Sequence, residues 1–234
     1  MEPSIIVGLI TLALGSYIYG SICWAIVISY FKLKQDIRLL GDGNPGAYNV
    51  GKNLGGKWGV LTMLLDCTKG LIPAIVSTTV NFKEYQNWAI GLAGTMSLLG
   101  HCYPIFFGLK GGNGFSTIFG FMVIFNPWMV LEWGIFVFLL TLIFKYIRPM
   151  QWITMILIGS LSILIKWRFY WQNFMPLLTP ELAMGTIPTM VLIVSLIQLP
   201  RFIPYFYGIY KGTEQKMFFF KPLFRKRESV IENE

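Results

Sequence analysis

Two short segments hold most of the side chains that could do chemistry. The first, "GDGNPGAYNVGK" at residues 41–52, carries Gly41, Asp42, Gly43, Asn44, Asn49 and Lys52. The second, "GLKGGNGFST" at residues 108–117, carries Lys110, Gly111, Gly112, Asn113, Ser116 and Thr117. Glycine lets backbone N–H groups approach a ligand closely, and successive N–H groups form a nest that attracts anions. Asparagine amides add donors and a lysine adds charge, so each segment reads as a phosphate cradle. Ser116 and Thr117 stand where a helix begins, and helix N-termini favour anions. The plainer readings are a turn between helices and an N-cap serving only its helix. Asp42 opposes phosphate binding unless a cation intervenes. His101 can act as a general base or as a hydrogen-bonded structural group. Asp66 and Lys69 are three residues apart and share a helical face, either as a structural ion pair or as part of a site. Cys23, Cys67, Cys102 and the single histidine are not spaced as metal ligands. Neither a metal site nor a cofactor is expected.

These groups must be positioned by a membrane protein. The 234 residues are 55% hydrophobic and only 13% charged, with a mean hydropathy of +0.60; soluble domains average about 25% charged residues. The net charge of +8, with so little polar surface, points to anionic lipid headgroups or an anionic substrate rather than nucleic acid. A spanning helix needs roughly 20 apolar residues. The candidates are residues 5–31, 58–80, 86–107, 115–126, 128–145, 150–166 and 183–200. The first lacks a basic leader and is too long for a signal peptide, so it reads as a retained span. The fourth is short, and Pro127 leaves open a single kinked helix in place of two. The expectation is an all-α, polytopic membrane bundle of about seven spans, forming one domain over residues 1–234 with a basic tail from 201. Ionisable groups inside a bilayer face the bundle interior or a wet cavity, which places Asp66 and Lys69 inward.

Lysine and arginine accumulate on the cytoplasmic side. With the N-terminus outside, Lys32, Lys34, Arg38, Lys52, Lys57, Lys110, Lys145, Arg148 and the basic tail all lie inside. Lys83, Lys166 and Arg168 remain outside. Both glycine-rich loops and the C-terminus then face the cytoplasm.

Read together, these stretches resemble a known family, the bacterial PlsY-type acyl-phosphate:glycerol-3-phosphate acyltransferases. The family pattern D-I-R-x-x-G-S-G-N-x-G-A-T-N-V-x-R-x-x-G is met by "DIRLLGDGNPGAYNVGKNLG". L-L-D-x-x-K-G is met by "LLDCTKG" at 64–70, and L-G-H-x-x-P-x-F-x-x-x-K-G-G-K-G-x-x-T by "LGHCYPIFFGLKGGNGFST" at 99–117. Order and spacing agree across residues 5–146. The resemblance implies a seven-span enzyme of the bacterial inner membrane. It moves an acyl group from acyl phosphate to the 1-hydroxyl of glycerol 3-phosphate, giving lysophosphatidic acid. Acyl phosphate is already activated, so no nucleophilic serine or cysteine is needed, and positioning and electrostatics carry the reaction. On this reading His101 is the catalytic candidate. The two loops bind substrate, and Asp66, Lys69, Arg201 and Glu214 are further candidates. Acyl phosphate, glycerol 3-phosphate and membrane lipids are the partners; no oligomeric state is implied.

The chain also departs from the pattern. Asp42 stands for Ser, Tyr48 for Thr, Lys52 for Arg and Asn113 for the second Lys of K-G-G-K-G. The last family motif, R-H-R-x-N-I-x-R-L-x-x-G-x-E, falls on "RFIPYFYGIYKGTE" at 201–214. Arg201, Gly212 and Glu214 match, while Phe202 stands for His, Tyr205 for Asn and Gly208 for Arg. A catalytically degenerate paralogue that binds a lipid or a protein partner is therefore the alternative. A small-anion transporter has less support, since only Asp66, Lys69 and Glu132 lie within spans and no paired set of broken helices is present.

Overall fold

The computed structural model describes residues 1–125, 127–164, 186–214 and 216. Nine α-helices and three single 3-10 turns make up the regular structure of these residues, with no strand among them. The helices are α1 (Pro3–Gly20), α2 (Trp24–Leu33), α3 (Ala47–Leu54), α4 (Gly56–Thr79), α5 (Gln86–Cys102), α6 (Phe115–Phe125), α7 (Pro127–Phe144), α8 (Ile147–Leu164) and α9 (Thr186–Tyr210).

The solvent logic of a soluble protein is inverted. Ile6, Val7, Ile10 and Leu14 on α1 and Val60 and Leu64 on α4 point outward, while Asp66, Lys69, Ser97, His101, Thr117 and Gln198 are buried. A bilayer accepts apolar side chains on the outside and drives polar ones inward. Among the described residues, four segments are long and apolar enough to cross a membrane: Pro3–Leu33, Gly56–Thr79, Lys83–Phe107 and Thr189–Tyr210.

Helix α4 packs against α1, α2, α3, α5 and α6, and α5 in turn packs against α1, α6 and α9. In lipid, helices gain by close backbone contact, which small residues permit. Gly70 of α4 lies against the backbone of Thr117 and Phe121, and Gly120 of α6 lies against the backbone of Cys67. Gly20 of α1 meets Ser97, and Gly100 of α5 meets Tyr17 and Ser21. Away from these crossings, Ala74, Ile90, Leu98, Phe121, Ile158 and Val191 fill the apolar core between α4, α5, α6, α8 and α9.

The elements differ from the sequence expectation in three places. The first apolar run is not one helix: it breaks at Ser21–Cys23, between α1 and α2. The polar stretch 32–57 is not all loop, because residues 47–54 form α3. Gly55, at φ +103°, then turns the chain directly into α4, a conformation open to glycine. The third difference concerns the tail expected from residue 201. Helix α9 continues through Pro200 and Pro204 to Tyr210, so the first part of that segment is helical. Between α6 and α7, Asn126 lies outside the described residues, as do Lys166, Arg168 and the basic cluster at 221–227. Pro127 opens α7, a position where its missing N–H costs nothing.

Candidate active site

The first glycine-rich loop is shaped from within. Asn49 on α3 is fully buried, and its amide donates to the carbonyls of Ile37 (3.2 Å) and Leu40 (2.9 Å). Its oxygen accepts from the Asn53 amide at 2.8 Å and from the Asp42 N–H at 3.4 Å. Gly41, at φ +59°, holds the backbone against that oxygen where a Cβ would collide. Asn49 was expected to touch substrate; in the fold its polar atoms are all engaged in the loop, which it supports. Asn44 is partly buried, and its side-chain oxygen has no hydrogen-bond partner among the described residues. Lys52 is exposed on the last turn of α3.

Arg38 joins this loop to the second. It pairs with Asp36 at 2.7 Å and donates to the carbonyls of Phe107 (2.8 Å) and Lys110 (3.2 Å). Burial alone would raise the Asp36 carboxyl. The hydrogen bonds and charge of Arg38 overcome this and hold it below its ordinary 3.8.

The second loop folds back onto the end of α5. The N–H of Gly111 donates to the Cys102 carbonyl (3.1 Å) and that of Gly112 to the His101 carbonyl (3.2 Å). These two amides were expected to face an anion; they are instead used in closing the loop. The glycines serve close packing: a side chain at Gly111 would strike the His101 carbonyl, and one at Gly112 the imidazole. Gly112 also abuts the Pro45 carbonyl, so the two loops touch. Helix α9 holds the second loop from its other side. Arg201 donates to the Gly111 carbonyl and Gln198 to that of Asn113 (2.6 Å), while the Asn113 amide donates to the Tyr205 hydroxyl (3.2 Å). Lys110 is exposed, and neither it nor Lys52 pairs with a carboxylate among the described residues.

Beneath the loops lies a buried polar cluster from three helices. Lys69 pairs with Asp66 at 2.8 Å, and its ammonium sits 3.3 Å from His101 Nδ1. The Thr117 hydroxyl lies 3.1 Å from that nitrogen and donates to the Asp66 carbonyl at 3.1 Å. An ammonium can only donate, so its contact uses the Nδ1 lone pair and goes with the proton on Nε2, the atom facing Gly112; the Thr117 contact, with its hydroxyl proton given to Asp66, goes with the proton on Nδ1. With the proton on Nε2, His101 is a hydrogen-bond donor towards the loop; with it on Nδ1, a lone pair faces the loop. A general base would need its free lone pair there. Pairing offsets the cost of burying the Asp66 and Lys69 charges.

A second charged cluster lies at the edge of the loops. Asp42 accepts the Asn44 N–H at 2.9 Å and forms an ion pair with Arg148 at the start of α8. Arg148 also lies 3.9 Å from Glu214. Its guanidinium stands over the rings of Tyr205 and Tyr48, at 4.8 and 5.6 Å. Asp42 thus has the neutralising cation that its place in a phosphate loop demands. Phe202, by contrast, is fully buried and packs against Phe115 and Trp152. From Phe115 an apolar groove runs between α6, α7, α8 and α9, lined by Phe115, Ile118, Met122, Trp133, Met155 and Val191.

The fold therefore gathers the two loops, the His101–Lys69–Asp66–Thr117 cluster, Arg201 and Glu214 at one end of the bundle. Sequence reasoning did not single out Arg38, Arg148 or Gln198 as members of this site. Arg38 had a signal, the D-I-R that opens the first motif. Arg148 and Gln198 had none, because their partners lie 106 and 85 residues away.

A sequence model described as glycerol-3-phosphate acyltransferase matches residues 10–202, beyond the stretch 5–146 over which order and spacing agree. A glycerol-3-phosphate acyltransferase of Aquifex aeolicus (strain VF5) is 43% identical over 121 residues, 51% of this chain and 61% of the relative. One of Geotalea daltonii is 38% identical over 134 residues, 57% of this chain and 66% of the relative. The matched stretch thus spans a little under two thirds of these curated relatives. Among solved structures, the crystal structure of PlsY, an integral membrane glycerol 3-phosphate acyltransferase, in its glycerol 3-phosphate form is similar with a TM-score of 0.72. That match has 26% identity and covers 90% of this chain and 96% of that one. The lysophosphatidic acid form matches with a TM-score of 0.67 and 27% identity, covering 89% and 95%.

Proposed function

The chain belongs to the glycerol-3-phosphate acyltransferase family, and from that premise we propose that it acylates glycerol 3-phosphate from acyl phosphate in the bacterial cell membrane. The products are lysophosphatidic acid and inorganic phosphate. One observation carries this reading. Two loops bearing the exposed, carboxylate-free Lys52 and Lys110 meet over a buried His101–Lys69–Asp66 cluster, beside an apolar groove that starts at Phe115.

The arrangement supports the chemistry as follows. The lysines draw substrate phosphates to the loops. The acyl chain lies in the groove, with its carbonyl at the groove's loop end. The acceptor hydroxyl attacks that carbonyl, the C–O bond to phosphate breaks, and phosphate departs with the electron pair and takes up the hydroxyl proton. Negative charge grows on the carbonyl oxygen and then on the phosphate. His101 Nε2–H and the lysines are the donors near that charge, and fixed donors stabilise it without reorganising. The Lys69 contact goes with that donor tautomer.

One observation favours the degenerate paralogue as a second reading. Phe202 and Tyr205 replace two polar residues of the family's last motif, and Phe202 is sealed in an aromatic cluster. The deciding experiment incubates purified protein with a long-chain acyl phosphate and radiolabelled glycerol 3-phosphate and resolves the lipid products. Labelled lysophosphatidic acid is expected. Its absence, with the protein folded and still binding lipid, selects the second reading.

A further inference from the structure

Four of the positions at which this chain leaves the family pattern lie on three segments, yet three of them meet one side chain and the fourth holds one of those three. Asp42 forms an ion pair with Arg148. The rings of Tyr48 and Tyr205 lie under its guanidinium. Asn113 donates to the Tyr205 hydroxyl at 3.2 Å. Glu214 closes the circle at 3.9 Å. The side chain is 19% exposed, so most of it is enclosed while part still faces out beside the loops. The departures at 113 and 205 leave neutral side chains on that edge, and the cation there is supplied from α8. A guanidinium offers five donors in a planar fork that fits phosphate oxygens bidentately. The Tyr48 and Tyr205 rings help to orient the fork, since a guanidinium is weakly hydrated and stacks on aromatic faces.

We propose that Arg148 is a specificity-determining residue that binds a substrate phosphate, taking over the charge absent from Asn113. Asp42 and Glu214 hold the guanidinium at the edge of the loops, and an entering phosphate replaces one of these carboxylates as its partner. This rests on the acyltransferase reading, in which acceptor and donor both carry a phosphate.

The test compares wild type with Arg148→Ala, Arg148→Gln and Arg148→Lys, measuring kcat and KM separately for glycerol 3-phosphate and for acyl phosphate. Removing one charge-assisted contact is expected to raise KM roughly ten- to a hundredfold in the Ala and Gln variants, with kcat moving less. Lysine restores the charge without the fork and is expected to recover part of the loss. A rise for glycerol 3-phosphate assigns the contact to the acceptor; a rise for acyl phosphate assigns it to the donor. Unchanged KM for both substrates, with only thermal stability lowered, overturns the proposal. Titration calorimetry with glycerol 3-phosphate and with inorganic phosphate separates this inference from the reading beneath it. If wild type transfers no acyl group but binds these anions and Arg148→Gln does not, the phosphate role stands and the acyltransferase reading falls. Equal binding by the two proteins, or none by either, overturns the phosphate role.

Discussion

Lys110 and Lys52 are the cations of the two loops with no carboxylate partner among the described residues. Their charge is therefore available to a ligand. A charge-assisted hydrogen bond contributes roughly 1.5–3 kcal/mol, so Lys110→Ala and Lys52→Ala are expected to raise the acceptor KM about tenfold or more while the protein stays folded. Steady-state kinetics on the two variants check this, and unchanged values in both remove the two-loop site. The carboxylates at the same end titrate in opposite senses. Burial raises Glu214 above its ordinary 4.5, with Arg148 pulling it back and Asp42 pushing it up. The folded state then holds the proton more tightly than the unfolded one, so Glu214 favours folding at low pH and loses that effect as pH rises through its folded value. Asp36 is held below 3.8, so its contribution is in place above that value and is lost as pH falls through its folded value. Melting temperature followed against pH should therefore fall less steeply on the alkaline side of 4.5 in Glu214→Gln. It should fall less steeply below 3.8 in Asp36→Asn.

At the scale of the elements, the helix crossings are built on glycine. Gly70 and Gly120 each stand where a Cβ would run into the backbone of the facing helix, and backbone cannot turn aside as a side chain can. Overpacking of this kind costs about 1–3 kcal/mol. Gly15 on α1 has open space around it, and alanine there gains helix propensity of up to about 1 kcal/mol. Thermal unfolding in detergent should show Gly70→Ala and Gly120→Ala destabilised and Gly15→Ala unchanged or more stable. Loss of stability at Gly15 alone would contradict the packing described. The helices themselves were legible because their apolar runs are long. Their ends were less so. The break at Ser21–Cys23 and the passage of α9 through Pro200 and Pro204 are not marked by hydropathy or local propensity.

For the whole molecule, we propose from the lysine and arginine distribution that both glycine-rich loops face the cytoplasm. The fold brings those loops into contact at one end of the bundle, so they must share a side. In a variant with Cys23, Cys67 and Cys102 replaced by serine, single cysteines at Asn44 and Asn113 are expected to resist an impermeant thiol reagent applied to intact cells. They should label once the membrane is opened. Ready labelling from outside would reverse the orientation.

Much about this protein was determined by its sequence alone. Hydropathy marks a helical membrane bundle because a bilayer core rejects unpaired backbone polar groups, whatever the tertiary arrangement. Three motifs in register identify the family, and their residue types point to phosphate. The tertiary structure decided which of those residues' polar groups are already engaged within the protein. Asn49, Gly111 and Gly112 were read as substrate contacts from their types, but their polar groups are engaged in holding the loops. The tautomer of His101 depends on Lys69 and Thr117, 32 and 16 positions away. The partner of Asp42 is Arg148, 106 positions away. Residue type and spacing report what a group can do locally; a hydrogen-bond or ion-pair partner on another helix is set by packing.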